Sequence, residues 1–182
     1  MQATTHNSAS TDQEFMAQAM TLAAQAGKIG EVPVGALVVC DGQVIGQGYN
    51  QTINTHDPCA HAEIMALRQA AQTIGNHRLS GCDVYVTLEP CTMCVGAIIH
   101  ARIQRLVYAA TEPKAGAVES QLQLFSLPHY NHSVQVESGL MADESSAMLS
   151  NFFKQRRLHH KANKAAVAST NPIIDQPKDA VL

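Results

Sequence analysis

Apolar and polar positions alternate along this chain in two distinct periods, and the switches between them divide it into elements. Phe15, Ala19, Leu22, Ala23 and Ala26 recur at helical spacing, which predicts a helix from Asp12 to Lys28, capped by Thr11 or Asp12 and ended by Gly27 and Gly30. Val34 to Cys40 is a short unbroken apolar run of strand character. Asp41-Gly42 is a hairpin turn signal, and Gln43 to Tyr49 is the expected partner strand. Asn50 to Pro58 is polar and turn-rich. Ala60 to Ile74 is helical, with Ile64, Leu67, Ala71 and Ile74 on one face. Asp83 to Leu88 reads as a buried strand, Pro90 opens a helix to about His100, and Arg105 to Ala110 is another strand. Pro113 to Asn131 is loop-like, with one helical turn near Leu122 to Phe125. Ser133 to Glu137 is a weak last strand, and Asp143 to Ala162 a long helix.

Helices between strands imply parallel crossovers, whereas the opening hairpin implies an antiparallel pair. The economical solution is an α/β fold, a mixed sheet covered by helices on both faces. The expected organisation is a flexible stretch over 1–11, one domain over 12–162, and a disordered tail over 163–182 that contains Pro172 and Pro177. A length of 182 residues suits a single domain. Apolar residues form 46% of the chain, enough for a core, which excludes a wholly disordered protein. No stretch reaches the roughly 18 apolar residues of a membrane span. Met1 to Ser10 lacks a secretory pattern, so the expected setting is cytoplasmic, with no membrane partner.

The net charge of −3 gives no global argument for nucleic acid, but the distribution is uneven. Lys154, Arg156, Arg157, Lys161 and Lys164 cluster, and no Asp or Glu occurs from Asn151 to Ile174. Read alone, that segment is a solvated helix face. The five cysteines, an odd number in a cytoplasmic setting, argue against a disulfide framework. Cys40 and Cys82 adjoin strand-like runs and read as small buried hydrophobes.

Two segments carry chemistry. His61-Ala62-Glu63 begins one helix, and Pro90-Cys91-Thr92-Met93-Cys94 begins another. His61, Cys91 and Cys94 offer the nitrogen and sulfur donors that zinc prefers, and three protein ligands leave a fourth position for water, the mark of a catalytic site. The C-x-x-C spacing puts both sulfurs on one side of a helical turn, and the helix N-terminus favours them as thiolates. Bound zinc lowers the pKa of its water to about 7. Glu63, two residues from His61, is placed to carry that proton. Cys59 is the candidate that would instead close a four-ligand structural site, but this leaves Glu63 unexplained. The joint pattern H-x-E followed by P-C-x-x-C is the signature of zinc deaminases.

At these residues the chain resembles the bacterial tRNA-specific adenosine deaminases of the cytidine/deoxycytidylate deaminase superfamily. The similar stretches are EVPVGALVV, HDPCAHAEIMALRQA, YVTLEPCTMC, GAIIHARI and FFKQRR, within about Glu14 to Lys161. The resemblance implies a three-layer α/β/α cytidine-deaminase-like fold with a mixed five-stranded sheet, and a homodimer. It implies zinc-dependent hydrolysis of adenosine to inosine at the wobble position of a tRNA anticodon stem-loop. By position it makes His61, Cys91 and Cys94 the zinc ligands and Glu63 the proton shuttle. It puts Asn50 on the adenine, Val34 on the pocket wall, Glu112 on a neighbouring ribose, and Phe153 and Arg157 on the anticodon loop. A backbone N–H near Ala62 or Cys91 is the expected donor to the developing oxygen. Cys59 replaces the family's usual threonine, and TEPKAGAVES and SLPHYNHS depart from its pattern. Two other readings share these residues: a deaminase of a free base or nucleotide (cytosine, guanine or dCMP type), and a zinc-stabilised RNA-binding module without catalysis.

Overall fold

The computed structural model describes residues 8–170, with side chains over 12–164. Of the expected flexible stretch over 1–11 and tail over 163–182, residues 1–7 and 171–182 lie outside the described residues. Helix α1 (Ser8–Lys28) leads into a hairpin of β1 (Gly35–Cys40) and β2 (Gln43–Tyr49). A short α2 (Thr52–Thr55) precedes α3 (Ala62–Ile74), β3 (Cys82–Leu88), α4 (Thr92–His100) and β4 (Arg105–Ala110). A single 3-10 turn (Leu124–Ser126), β5 (Gln135–Ser138) and α5 (Ala142–Thr170) complete the chain.

The five strands form one mixed sheet in the order β2-β1-β3-β4-β5. β1 is antiparallel to both β2 and β3, whereas β3–β4 and β4–β5 are parallel. The central strands are apolar on both faces, as a sheet covered on both sides requires. Ala36, Val38, Val84, Val86, Leu106 and Tyr108 point to the core beneath α3 and α4. Leu37, Val39, Tyr85, Val107 and Ala109 point the other way, against Phe15, Met16, Ala19 and Leu22 of α1. The opening residues of α5 pack on that second face, so the molecule is a three-layer α/β/α sandwich.

The α1 face is the one expected from its spacing, but neither Thr11 nor Asp12 caps the helix, which begins earlier. The Asp12 carboxylate instead accepts from the Tyr85 hydroxyl (2.5 Å) and from Arg105 Nη1 and Nη2 (2.9 and 2.8 Å), with Asp83 on the same guanidinium (2.8 Å). This partner set pins the N-terminal turns of α1 across the ends of β3 and β4. α3 starts at Ala62, because His61 is extended (φ −75°, ψ 153°). Its fully buried stripe is Ala62, Ala66 and Ala70; of the expected face, Leu67 is buried and Ala71 packs at the core margin, whereas Ile74 is exposed. The small residues are there because α3 lies directly on the backbone of β2. A Cβ added at Gly48 would sit 2.4 Å from Ala62 O and 2.6 Å from Ala66 N, and one at Gly46 would sit 2.3 Å from Ala66 O. Side chains of α3 also cover the edge of β2. Gln69 Oε1 accepts from Gln47 N–H (2.7 Å), and Thr73 Oγ1 donates to Ile45 O (2.9 Å). α5 runs past the expected end at Ala162, so that boundary falls inside a helix.

Candidate active site

Two helices begin at the same place, beyond the C-terminal end of β3, and each begins with a side chain able to ligate a metal. His61 occupies the N-cap of α3 and Cys91 the N-cap of α4, and neither side chain makes a capping hydrogen bond. Cys94 follows one turn later and is fully buried. The three donor atoms form a near-equilateral triangle. Cys91 Sγ and Cys94 Sγ are 3.7 Å apart, and His61 Nδ1 is 3.7 and 3.6 Å from them. A tetrahedral zinc with Zn–S about 2.3 Å and Zn–N about 2.05 Å sets these edges at about 3.8 and 3.6 Å, so the donor set fits that ion without rearrangement. Cys59 is outside this group among the described residues, and the four-ligand structural alternative is not built.

The electrostatics centre on one thiolate, Cys91. The hydrogen bond between the Cys91 and Cys94 sulfurs, with His61 nearby, holds Cys91 at about 4 despite partial burial. Cys94 is raised by the adjacent Cys91 sulfur and by burial. His61 is raised, chiefly by its hydrogen bond with Cys91. Glu63 is 4% exposed, and burial pushes its carboxyl above the usual range.

A pocket of about 220 Å³ opens over the triangle, lined by Val34, Asn50, His61, Glu63, Cys91 and Glu112 among others. Val34 is on its wall, 5% exposed. Asn50 is there too, but its amide is already at work. Its Oδ1 accepts from the Ala62 N–H (2.9 Å) and its Nδ2 donates to Val32 O (3.1 Å). Because the N-cap side chain of α3 is turned to the metal site, the cap is supplied by Asn50 from another segment. Two consequences follow. Ala62 N–H is engaged and is not the free donor expected of it, which leaves Cys91 N–H of that pair. Asn50 keeps one amide N–H for a ligand.

Two buried carboxylates that the sequence reading passed over hold the pocket rims. Glu31, 1% exposed, accepts from Ile53 N–H (2.7 Å), Asn54 N–H (2.9 Å), Asn54 Nδ2 (3.0 Å) and Thr52 Oγ1 (3.1 Å), and so fixes α2. Glu89, 3% exposed, accepts from the N–H groups of Glu112, Val118, Glu119 and Ser120 and from the Ser120 hydroxyl. It folds the 111–120 loop back over Cys91, so that Glu112 and Ala115 reach the pocket. For both acids burial works against ionisation, but the donors win and hold the carboxyls below the usual range. The available signal was an acid flush against an apolar run, in EVPVG and in TLEPC. Glu112 stands at the rim, its Oε1 taking the Lys114 N–H (2.9 Å). Phe153 and Arg157 are not in the pocket. They line a shallow groove with Arg156, His160 and Lys161 on α5, whose residues past Phe152 are exposed.

The cytidine and deoxycytidylate deaminase zinc-binding region matches residues 9–110. A tRNA-specific adenosine deaminase of Haemophilus influenzae is 48% identical over 159 residues, covering 87% of this chain and 92% of the relative. A solved structure from studies of A-to-I editing by tRNA:A34 deaminases at the wobble position is 50% identical, with TM-score 0.73, covering 75% of this chain and 99% of that one. A guanine deaminase from Nitrosomonas europaea is 26% identical, with TM-score 0.65, covering 77% of this chain and 83% of that one.

Proposed function

The chain belongs to the cytidine and deoxycytidylate deaminase family, and on that premise we propose that it hydrolyses adenosine to inosine and ammonia at the wobble position of a tRNA anticodon. The observation that carries this reading is the triangle of His61, Cys91 and Cys94 at the floor of a pocket that also holds a buried carboxylate, Glu63. Zinc held by those three side chains supplies the Lewis acidity that makes water nucleophilic at neutral pH. The pocket volume lies below the roughly 300–1,000 Å³ of drug-sized sites, which suits one flat base turned out of its stack. Glu63 takes a proton from the attacking water and delivers it to adenine N1. The water oxygen bonds to C6, Glu63 collects the proton of that new hydroxyl and passes it to the amino nitrogen, and the C6–N bond breaks to release ammonia and leave inosine. The remaining amide N–H of Asn50 orients the base, Val34 packs on its face, and Cys91 N–H faces the developing oxygen. Glu112 at the rim meets the neighbouring ribose.

The substrate's size is read elsewhere. A free base needs nothing beyond the pocket, whereas α5 presents Phe153, Arg156, Arg157 and Lys161 outside it, an aromatic among cations suited to phosphates and unstacked bases. The groove between α3 and α4, lined by Ile64, Leu67, Ala71, Leu79 and Ala97, is the face we assign to a second copy, and sedimentation velocity is expected to give the mass of a homodimer. A tRNA substrate sets the enzyme in the cytoplasm.

The test is zinc-loaded protein with an adenosine-bearing anticodon stem-loop and, separately, free guanine and cytosine. Inosine is expected from the stem-loop. Glu63→Ala is expected to keep zinc and lose at least 100-fold in turnover. Deamination of a free base with an untouched stem-loop would replace this reading with the free-base one.

A further inference from the structure

Cys40 ends β1 and Cys82 begins β3, and the antiparallel register sets them directly opposite each other. Asp41 and Gly42 have φ of 48° and 74°, the pattern of a two-residue hairpin turn in which the flanking residues exchange their backbone hydrogen bonds. The backbone polar groups of Cys40 therefore face Gln43 on β2, its partner in the register. Across the pair, Cys82 N–H donates to Leu79 O (3.2 Å) and Cys82 O accepts from Gln104 N–H (2.9 Å). Both backbones turn away from their shared interface, which makes this a non-hydrogen-bonded pair. That is the closer kind, with Cα atoms about 4.5 Å apart, and a disulfide spans about 4.4–6.8 Å. Both side chains lie on the α3/α4 face of the sheet, Cys82 within the core and Cys40 packed at its margin. Burial, then the adjacent Cys40 thiol, push the Cys82 thiol up to about 12.

We propose that Cys40 and Cys82 form an oxidisable dithiol, a reversible cross-strand disulfide site closed by a hydroperoxide. Cys40 is half-buried and Cys82 fully buried, so Cys40 reacts first. Its thiolate attacks one peroxide oxygen, the O–O bond breaks, and a sulfenic acid forms as water leaves. The Cys82 sulfur then displaces the hydroxyl from the Cys40 sulfur, and the Cys82 proton leaves with it as a second water. Two thiols and one hydrogen peroxide give one disulfide and two waters. A neighbour that resolves the sulfenic acid spares Cys40 from further oxidation. The pair lies at the ends of β1 and β3 remote from Val34 and Cys91, so the bond ties two strands that carry the pocket without entering it. By linking residues far apart in sequence it restricts the unfolded chain.

The experiment treats the zinc-loaded full chain with one equivalent of hydrogen peroxide, alkylates the remaining thiols, and digests with trypsin and Asp-N without reduction. This double digest separates all the relevant thiols, into the peptides 29–40, 57–68, 79–82 and 83–102. The expected product joins 29–40 to 79–82, two hydrogens lighter than the reduced pair, and disappears with dithiothreitol. The melting midpoint rises by about 5–10 °C, zinc content is unchanged, and Cys40→Ser abolishes both the cross-link and the rise. Cys82→Ala is a second control, and Cys40→Ser at the half-buried position keeps the test valid if Cys82→Ala folds poorly. A sulfinic acid on Cys40 beside an alkylated Cys82, or a cross-link from 29–40 to 57–68 or 83–102, overturns the proposal.

Discussion

Gly48→Ala tests whether the metal site depends on the contact between α3 and β2. The added Cβ would stand 2.4 Å from Ala62 O, 2.6 Å from Ala66 N and 2.7 Å from Met65 Cβ. Ordinary contact begins at 3.4 Å, so the first turn of α3 must retreat by about 1 Å. The obstructing atoms are mainly backbone, which places the cost near the upper end of overpacking penalties, about 3 kcal/mol. For a chain of this length that is a fall in melting midpoint of roughly 6–12 °C. The functional loss exceeds the stability loss, because that turn carries His61 and Glu63 while Cys91 and Cys94 stay with α4. Metal-ligand distances tolerate about 0.2 Å, and a 1 Å misplacement of a reacting group costs about 100-fold in rate. The assays are thermal melting, zinc content after dialysis against a competing chelator, and inosine formation at a temperature where the variant is folded. The control is Gly96→Ala in α4, where the new Cβ meets nothing within 4 Å and helix propensity adds up to about 1 kcal/mol. A Gly48→Ala protein with wild-type zinc retention and turnover would refute the reasoning, whatever its stability.

Other predictions rest on single contacts. Glu89→Gln loses acceptor capacity toward the 111–120 loop and is expected to raise KM for the stem-loop several-fold, with kcat and zinc content nearly unchanged. An equal loss in both kinetic constants would contradict that positioning role. Neutralising Arg156 and Arg157 together is expected to weaken RNA binding and to flatten the slope of log K against log salt by about 1–2, read by fluorescence anisotropy. The hydrogen bonds from Arg105 hold the Asp12 carboxyl below its ordinary 3.8. Its folded pKa is depressed, so the contribution is present above about pH 4 and fades as pH falls through the folded value. Asp12→Asn is therefore expected to lower the melting midpoint at pH 7 by several degrees, for a loss of about 2 kcal/mol. The gap between variant and wild type should close below pH 4, and a gap that does not change with pH would assign the effect to packing alone.

How much of this was legible in the sequence depends on how far each feature reaches. The strands of the central sheet follow from apolar runs, and the inward face of α1 from its spacing, because those patterns record local geometry directly. The grouping of His61, Cys91 and Cys94 with Glu63 nearby was legible because few side chains offer that donor chemistry and their spacing fits helix starts. What the sequence could not display were partners chosen by topology. The capping of α3 by Asn50 needs the end of β2 to lie beside the start of α3. The alanine stripe of α3, rather than a face reaching from Ile64 to Ile74, follows from a strand backbone too close for anything bigger. Glu31 and Glu89 read as ordinary acids until burial and converging N–H groups define them. The opposition of Cys40 and Cys82, with the two positions far apart in the chain, exists because β1 and β3 pair in one register. Periodicity tells which face of an element is covered. Only the tertiary arrangement tells what covers it, because that contact is made by residues no local pattern connects.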